Sequence, residues 1–191
     1  QALQKAGVTA VSLANNHAGD AGAAGFQECV DEATAIGPRI AGARNTDAPL
    51  ICKSPTITLL AASLFPSNET DDFITLLPRD ADIIAEKIRT LRATDSSVVI
   101  MLHGGDEYAR EVNDEQRKWA RWCVDQGAAL VVFSHPHVTQ PLEAYRGRPV
   151  AFSLGNLVYP RALQGADDGA WLRIDFSKEG NVLAADLIPL P

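Results

Sequence analysis

The chain has 191 residues, 46% hydrophobic and 21% charged, an ordinary globular balance with enough apolar material for a substantial core. Its 17 Lys and Arg are outnumbered by 24 Asp and Glu, and the formal net charge of −7 gives a field that repels nucleic acid and anionic membrane. No apolar run approaches the roughly 20 residues of a membrane helix, and three scattered cysteines, Cys29, Cys52 and Cys123, form no CxxC pair, which argues against a zinc knuckle or a disulfide framework.

The chain opens QALQKAG without an initiator methionine. Residues 1–5 read as the last turn of a helix, Gly7 as its stop and 8–13 as a strand. A domain rarely opens on a helix end that runs straight into a buried strand. The expectation is a chain trimmed at its N-terminus, with earlier strands lying upstream.

The loop Asn15-Asn16-His17-Ala18-Gly19-Asp20 follows that first strand, then a helix over 23–36. Strands are expected over 50–52 and 56–62, separated by Pro55 and followed by a polar loop at 64–72. Over 79–92, Ile83, Ile84, Ile88 and Leu91 recur at the spacing of one helical face. Residues 98–102 form a continuous apolar run, the pattern of a strand covered on both faces, and end in His103-Gly104-Gly105-Asp106-Glu107-Tyr108. A helix over 111–126 carries Trp119, Trp122 and Cys123 on one stripe and stops at Gly127.

A second buried strand over 130–133 ends in Ser134-His135-Pro136-His137. Beyond it, 142–145, 149–153, 171–176 and 182–188 are strand-like and joined by turns such as Arg146-Gly147 and Glu179-Gly180, so the last third is expected to be antiparallel. No repeat or linker divides the chain. The whole of 1–191 reads as one α/β domain, a sheet with helices layered on it.

All four histidines lie in three of these strand-end motifs. That is where open α/β sheets place ligands, and imidazole is the commonest side-chain metal ligand. Pro136 biases His135 toward extended geometry, which would set His135 and His137 on one side, able to grip one cation or two adjacent ones. An HxH pair alone also suits ordinary polar surface or core. The glycines after His103 allow tight turns and close backbone approach to a ligand. Glu107 suits a metal ligand, a partner behind a histidine, or a solvated loop charge. Asn16 offers a neutral oxygen ligand, and His17 could then meet substrate. Asp20 is a catalytic candidate whose competing explanation is the N-cap of the following helix. Three motifs together point to a metal or phosphate-type site.

The segments SLANNHAGDAGAAGF, HGGDEY and SHPHVTQPLEAYRGRPVAFSLGNLVYP resemble, in order and spacing, the CapA family of poly-γ-glutamate capsule synthesis proteins, within the calcineurin-like metallophosphoesterase superfamily. The resemblance spans most of 8–160. It implies a β-sandwich flanked by helices, with two divalent cations of the Mn, Fe or Zn class at the strand ends. It places Asn16, His103, His135 and His137 as metal ligands, His17 facing the transferred phosphoryl group, and adds Glu107 and Gly155-Asn156 with looser roles. For Gly155-Asn156 a tight turn after a strand is the plainer explanation. The superfamily's aspartate-bearing motifs, including a bridging carboxylate, precede the first residue of this chain, so weak metal binding is expected of these residues alone.

The resemblance further implies an anionic substrate or poly-γ-glutamate itself, a capsule-synthesis membrane complex as partner, and the extracytoplasmic face of the cell envelope as location. A rival expectation is a non-catalytic envelope component that binds poly-γ-glutamate or the synthesis complex. Arg110, Arg146 and Arg148, close to the motifs, could meet an acidic polymer or simply be solvated.

Overall fold

The computed structural model describes all residues except 1, 45, 47, 51–54, 67–71, 95, 159–168 and 191, with backbone alone at 48–50. The elements run α1 (Ala2–Lys5), β1 (Ala10–Ser12), α2 (Gly22–Ile36), β2 (Arg39–Ala41), β3 (Ala48–Leu50), β4 (Thr56–Ser63), α3 (Ala81–Arg92), β5 (Ser96–His103), α4 (Asp114–Gln126), β6 (Leu130–Ser134), β7 (Thr139–Tyr145), β8 (Arg148–Leu154), β9 (Ala170–Phe176) and β10 (Val182–Pro189). Six strands form one sheet in the order β3-β4-β5-β6-β8-β7. Its centre, β4 to β5 to β6 to β8, is parallel, and each edge strand joins antiparallel.

Side-chain alternation sorts this sheet into two working faces. Leu60 and Ala62, Val98, Ile100 and Leu102, Val131 and Phe133, and Val150 and Phe152 turn toward α3 and α4, where Ile84, Ile88, Trp119, Cys123 and Val124 close the main core. The opposite residues, Leu59 and Ala61 with Val99 and Met101, meet Ala10, Ala14 and Ala41 of the β1–β2 layer. Farther along, Leu130, Val132 and Ala151 meet Leu172 and Ile174 of the antiparallel β9–β10 pair. Helix α2 covers the β1–β2 pair from outside through Phe26, Val30 and Ala33. The order of layers is therefore helices, large sheet, two small sheets, helix.

Three expectations need correction. The 98–102 run has apolar neighbours on both faces, but Val99 and Met101 stay half-exposed while Val98, Ile100 and Leu102 are buried. The small β1–β2 layer covers its face of the sheet less fully than α3 and α4 cover the other. The last third is antiparallel only pairwise, because β8 inserts parallel beside β6 and carries β7 with it. The helix expected from 111 begins at Asp114, since Asn113 accepts from the Gln116 N–H at 2.8 Å and the Gln116 side chain accepts from the Asn113 N–H at 3.2 Å. That reciprocal cap ends the loop and starts the helix at one residue. The part of the expected 50–52 strand at 51 and 52 lies outside the described residues.

This layering fixes the end of the molecule that matters. Ser63, His103 and Ser134 are register partners across β4, β5 and β6, all at the carboxyl ends of parallel strands.

Candidate metal centre

His103 ends β5 and belongs to a ring that the fold largely encloses. Its Nε2 lies 2.8 Å from Asn16 Oδ1, a contact across 87 residues of sequence, and its Nδ1 lies 2.9 Å from Ser134 Oγ at the end of β6. A carboxamide oxygen only accepts, so in the neutral ring Nε2–H donates to Asn16 and Nδ1 accepts from the Ser134 hydroxyl; a cation at Nε2 would need the other neutral tautomer, with Nδ1–H donating to Ser134 Oγ. Burial, reinforced by the charges of His135, His137 and His17, pushes the His103 pKa down to about 3. The ring is neutral at physiological pH, the state a metal ligand needs.

His135 stands edge-on to His103, ring centroids 4.9 Å apart, with Phe65 packed 4.6 Å from its other side. Its pKa is also lowered, first by burial, with Glu107 and Asp106 pulling the other way and His137 and His17 adding to the depression. His137 lies 6.3 Å from His135 by centroids and stacks on Tyr108 at 5.8 Å. Asn156 grips His137 twice: its Oδ1 accepts from Nδ1 at 2.8 Å and its Nδ2 donates to the His137 carbonyl at 2.9 Å. The tautomer so fixed carries its lone pair on Nε2.

The histidine pair does not reach this arrangement through an extended strand. β6 stops at Ser134, and His135 and His137 adopt φ of +108° and +61°. Tyr108, at +62°, is strained likewise and its N–H donates to the Pro136 carbonyl at 2.8 Å. Three of the four non-glycine residues with positive φ among those described thus sit at one spot. Each such backbone costs on the order of 1–3 kcal/mol and persists only where surrounding contacts enforce it.

His17 is exposed, and its Nδ1–H donates to Asp20 Oδ2 at 2.8 Å. Asp20 therefore orients an imidazole instead of capping α2. Ala21 holds the cap position of that helix and makes no side-chain cap bond. His17 Nε2 faces the Asn16 amide nitrogen at 3.5 Å. An open cleft of about 410 Å³ is lined by Asn16, His17, Asp20, Phe65, Pro66 and His135.

The model of the family described as "Bacterial capsule synthesis protein PGA_cap" matches residues 1–161. The chain belongs to the PGA_cap family. "PGA biosynthesis protein CapA" of Bacillus subtilis (strain 168) is 29% identical over 188 residues, covering 93% of this chain and 50% of that protein. "Capsule biosynthesis protein CapA" of Bacillus anthracis is 26% identical over 206 residues, covering 100% of this chain and 49% of that protein. The chain thus spans about half the length of these relatives. A hypothetical protein from Thermus thermophilus, solved as a crystal structure, superposes with a TM-score of 0.63 at 16% identity, over 98% of this chain and 78% of that one. That likeness is one of fold alone, a layered α/β arrangement around a mostly parallel sheet.

In this PGA_cap chain the fold gathers Asn16, His103, His135 and His137 at one rim, with His17 and Asp20 on the cleft wall. Glu107 is exposed on the neighbouring loop, and its negative charge is felt at His135. Asn156, for which a tight turn was the plainer expectation, instead holds His137. Gly155 supplies the turn at φ +66° and delivers it. Only the motif resemblance signalled Asn156, since nothing in its local spacing links it to a histidine 19 residues earlier.

The donor set fits a borderline divalent cation on its nitrogen-rich side. Imidazole nitrogens and a neutral amide oxygen suit Mn, Fe and Zn, and two ligands each about 2.1 Å from one ion at right angles lie about 3 Å apart. The Nε2–Oδ1 separation of 2.8 Å is close to that spacing, and it is equally an ordinary hydrogen bond. Among the described residues no three His, Cys, Asp or Glu side chains close on one point. The carboxylates of a full two-cation site are therefore not brought here by the described residues.

Proposed function

We propose that this protein is a divalent-metal-dependent hydrolase of the phosphoesterase type, serving capsular poly-γ-glutamate synthesis or export at the extracytoplasmic face of the cell envelope. The observation that carries the reading is the meeting of Asn16 with His103 across the fold, beside two further imidazoles held at strained backbone. The capsule context rests on the family and on the names of the two relatives.

Asn16 and His103 would hold one cation together with His135, and His137 would contact a second. Asn16 contributes an oxygen that adds no charge, while Ser134 and Asn156 set the rings of His103 and His137. A divalent cation bound there supplies Lewis acidity and charge neutralisation to an anionic substrate. His17, oriented by Asp20 and exposed to the cleft, would as an imidazolium carry a proton at Nε2 and deliver it to a departing oxygen. Phe65 and Pro66 line one side of the cleft. The anionic substrate class, a capsule-synthesis membrane complex as partner and a second cation belong to the same proposal.

The test is hydrolysis of bis(p-nitrophenyl) phosphate by the full-length protein after chelation and after re-addition of Mn²⁺. Activity that is lost to chelator and restored by the cation supports the reading. A protein that binds Mn²⁺ stoichiometrically yet hydrolyses neither this diester nor p-nitrophenyl phosphate would favour the non-catalytic binding role.

A further inference from the structure

The loop after β5 carries Asp106, Glu107 and Tyr108 past the histidines, and it is clamped from beneath by two glutamines that the site does not otherwise use. Gln116 and Gln140 are buried, at 0% and 3% exposure, on α4 and β7. A buried amide is costly unless its groups are paired, and here each nitrogen makes two bonds. Gln116 Nε2 donates to Gln140 Oε1 at 2.9 Å and to the Phe152 carbonyl at 3.2 Å. Gln140 Nε2 donates to the Ala109 carbonyl at 2.8 Å and the Glu111 carbonyl at 3.1 Å. Gln116 Oε1 accepts from the Asn113 N–H.

The near end of the loop rests on the same pair. Gly105, at φ +119°, lies so close over the Gln116 amide that a β-carbon there would fall 2.8 Å from Cδ. Asn113 Nδ2 meanwhile donates to Asp106 Oδ2 at 3.1 Å. Both ends are fixed, and the span between them is short and strained. It passes through Tyr108, whose N–H donates to the Pro136 carbonyl and whose ring stacks on His137.

We propose that the Gln116–Gln140 pair is the positioning device of the site, holding Tyr108 against the His135-Pro136-His137 turn so that the loop extends the substrate cleft beyond its His135 wall. Neither glutamine touches the cation or the substrate; both act through the loop. The assignment of the wall to a substrate cleft rests on the hydrolase reading above. The positioning itself can be measured without activity.

The experiment compares wild-type full-length protein with Gln140→Met by amide hydrogen exchange and by NMR of the histidine rings. Losing the two carbonyl anchors should speed exchange at the Tyr108 amide by about tenfold, the effect of a lost net hydrogen bond or two. The His137 ring resonances should shift, while exchange at Ile100 in β5 and the His17 resonances stay unchanged. With Mn²⁺ and bis(p-nitrophenyl) phosphate, KM should rise several-fold with kcat held within about twofold, because the wall binds and does not transfer protons. Unchanged exchange at Tyr108, or a uniform loss of protection through β5 and α4, would overturn the proposal. Gln140→Glu, matched in volume but turning an acceptor toward both carbonyls, must give the same local pattern should Gln140→Met fail to fold. Failure of both to fold would make the pair a core support and also overturn it. Absence of hydrolysis in the wild type would sink the hydrolase reading alone, leaving exchange and NMR to decide the positioning.

Discussion

His17 and His135 sit on the same cleft and are held by different neighbours, which separates their tasks. His135 is half-buried between His103 and Phe65, and its depressed pKa keeps a lone pair available. His17 is exposed and tethered to Asp20. In the full-length protein, His135→Ala should lower both metal content and hydrolysis by at least about tenfold, since a lost ligand acts on affinity directly. His17→Ala should lower the rate by about a hundredfold, the scale of one general acid, with metal content unchanged by elemental analysis. Equal metal loss in the two variants would contradict this division.

Much of this was legible in the sequence at the level of residue type. Histidines confined to strand ends announce a site because parallel strands deliver their carboxyl ends to one rim. The φ values of His135 and His137 were not legible, because Pro136 restricts only its neighbour's preference and the fold overrode it. The partnership of Asp20 with His17 was hidden by its equal suitability as a cap. Asn156 was hidden by 19 intervening residues.

At the scale of elements, α4 and the loop before it are one unit. Asn113 caps the helix, accepts from the Gln116 N–H and steadies Asp106. Asn113→Ala should lower stability by about 1 kcal/mol, the usual worth of an N-cap, read as a lower urea midpoint at unchanged slope. A neutral result would mean that the glutamine pair alone fixes the helix start. The helix was legible from its Trp119–Cys123 stripe, but its first residue was not, since apolar periodicity carries no information about which polar residue turns inward to cap. Most strands were legible by run length, but β2 was not, because its three residues, Arg39–Ala41, form no apolar run. Strand partners were not, because sequence order does not reveal that β8 lies between β6 and β7.

Across the whole molecule, Asp80 ties the outer layer to the helix layer. It is buried at the head of α3, accepts from the Leu76 N–H at 2.8 Å and from Arg79 Nη2 at 2.8 Å, and lies 3.6 Å from Arg44 Nη2 beyond β2. Burial resists its ionisation, yet the Arg79 and Leu76 hydrogen bonds and the charges of Arg79 and Arg44 prevail and hold its pKa below the ordinary value of 3.8. A folded pKa below the unfolded one adds stability above the unfolded pKa, and that stability is lost as pH falls through the folded pKa. Asp80→Asn should therefore melt below wild type at neutral pH, with the gap closing as the solution is acidified below about pH 4. A gap that stays constant across that window would show that Asp80 acts by shape alone.

The central claim is that Asn16 and His103 meet in order to hold a cation. It is tested most directly by anomalous diffraction from crystals of the full-length protein grown with Mn²⁺. A peak is expected about 2.0–2.3 Å from Asn16 Oδ1 and His103 Nε2, within reach of His135 or His137. A Mn²⁺-saturated crystal with no peak there, and with Asn16 still hydrogen-bonded to His103 at 2.8 Å, would contradict it.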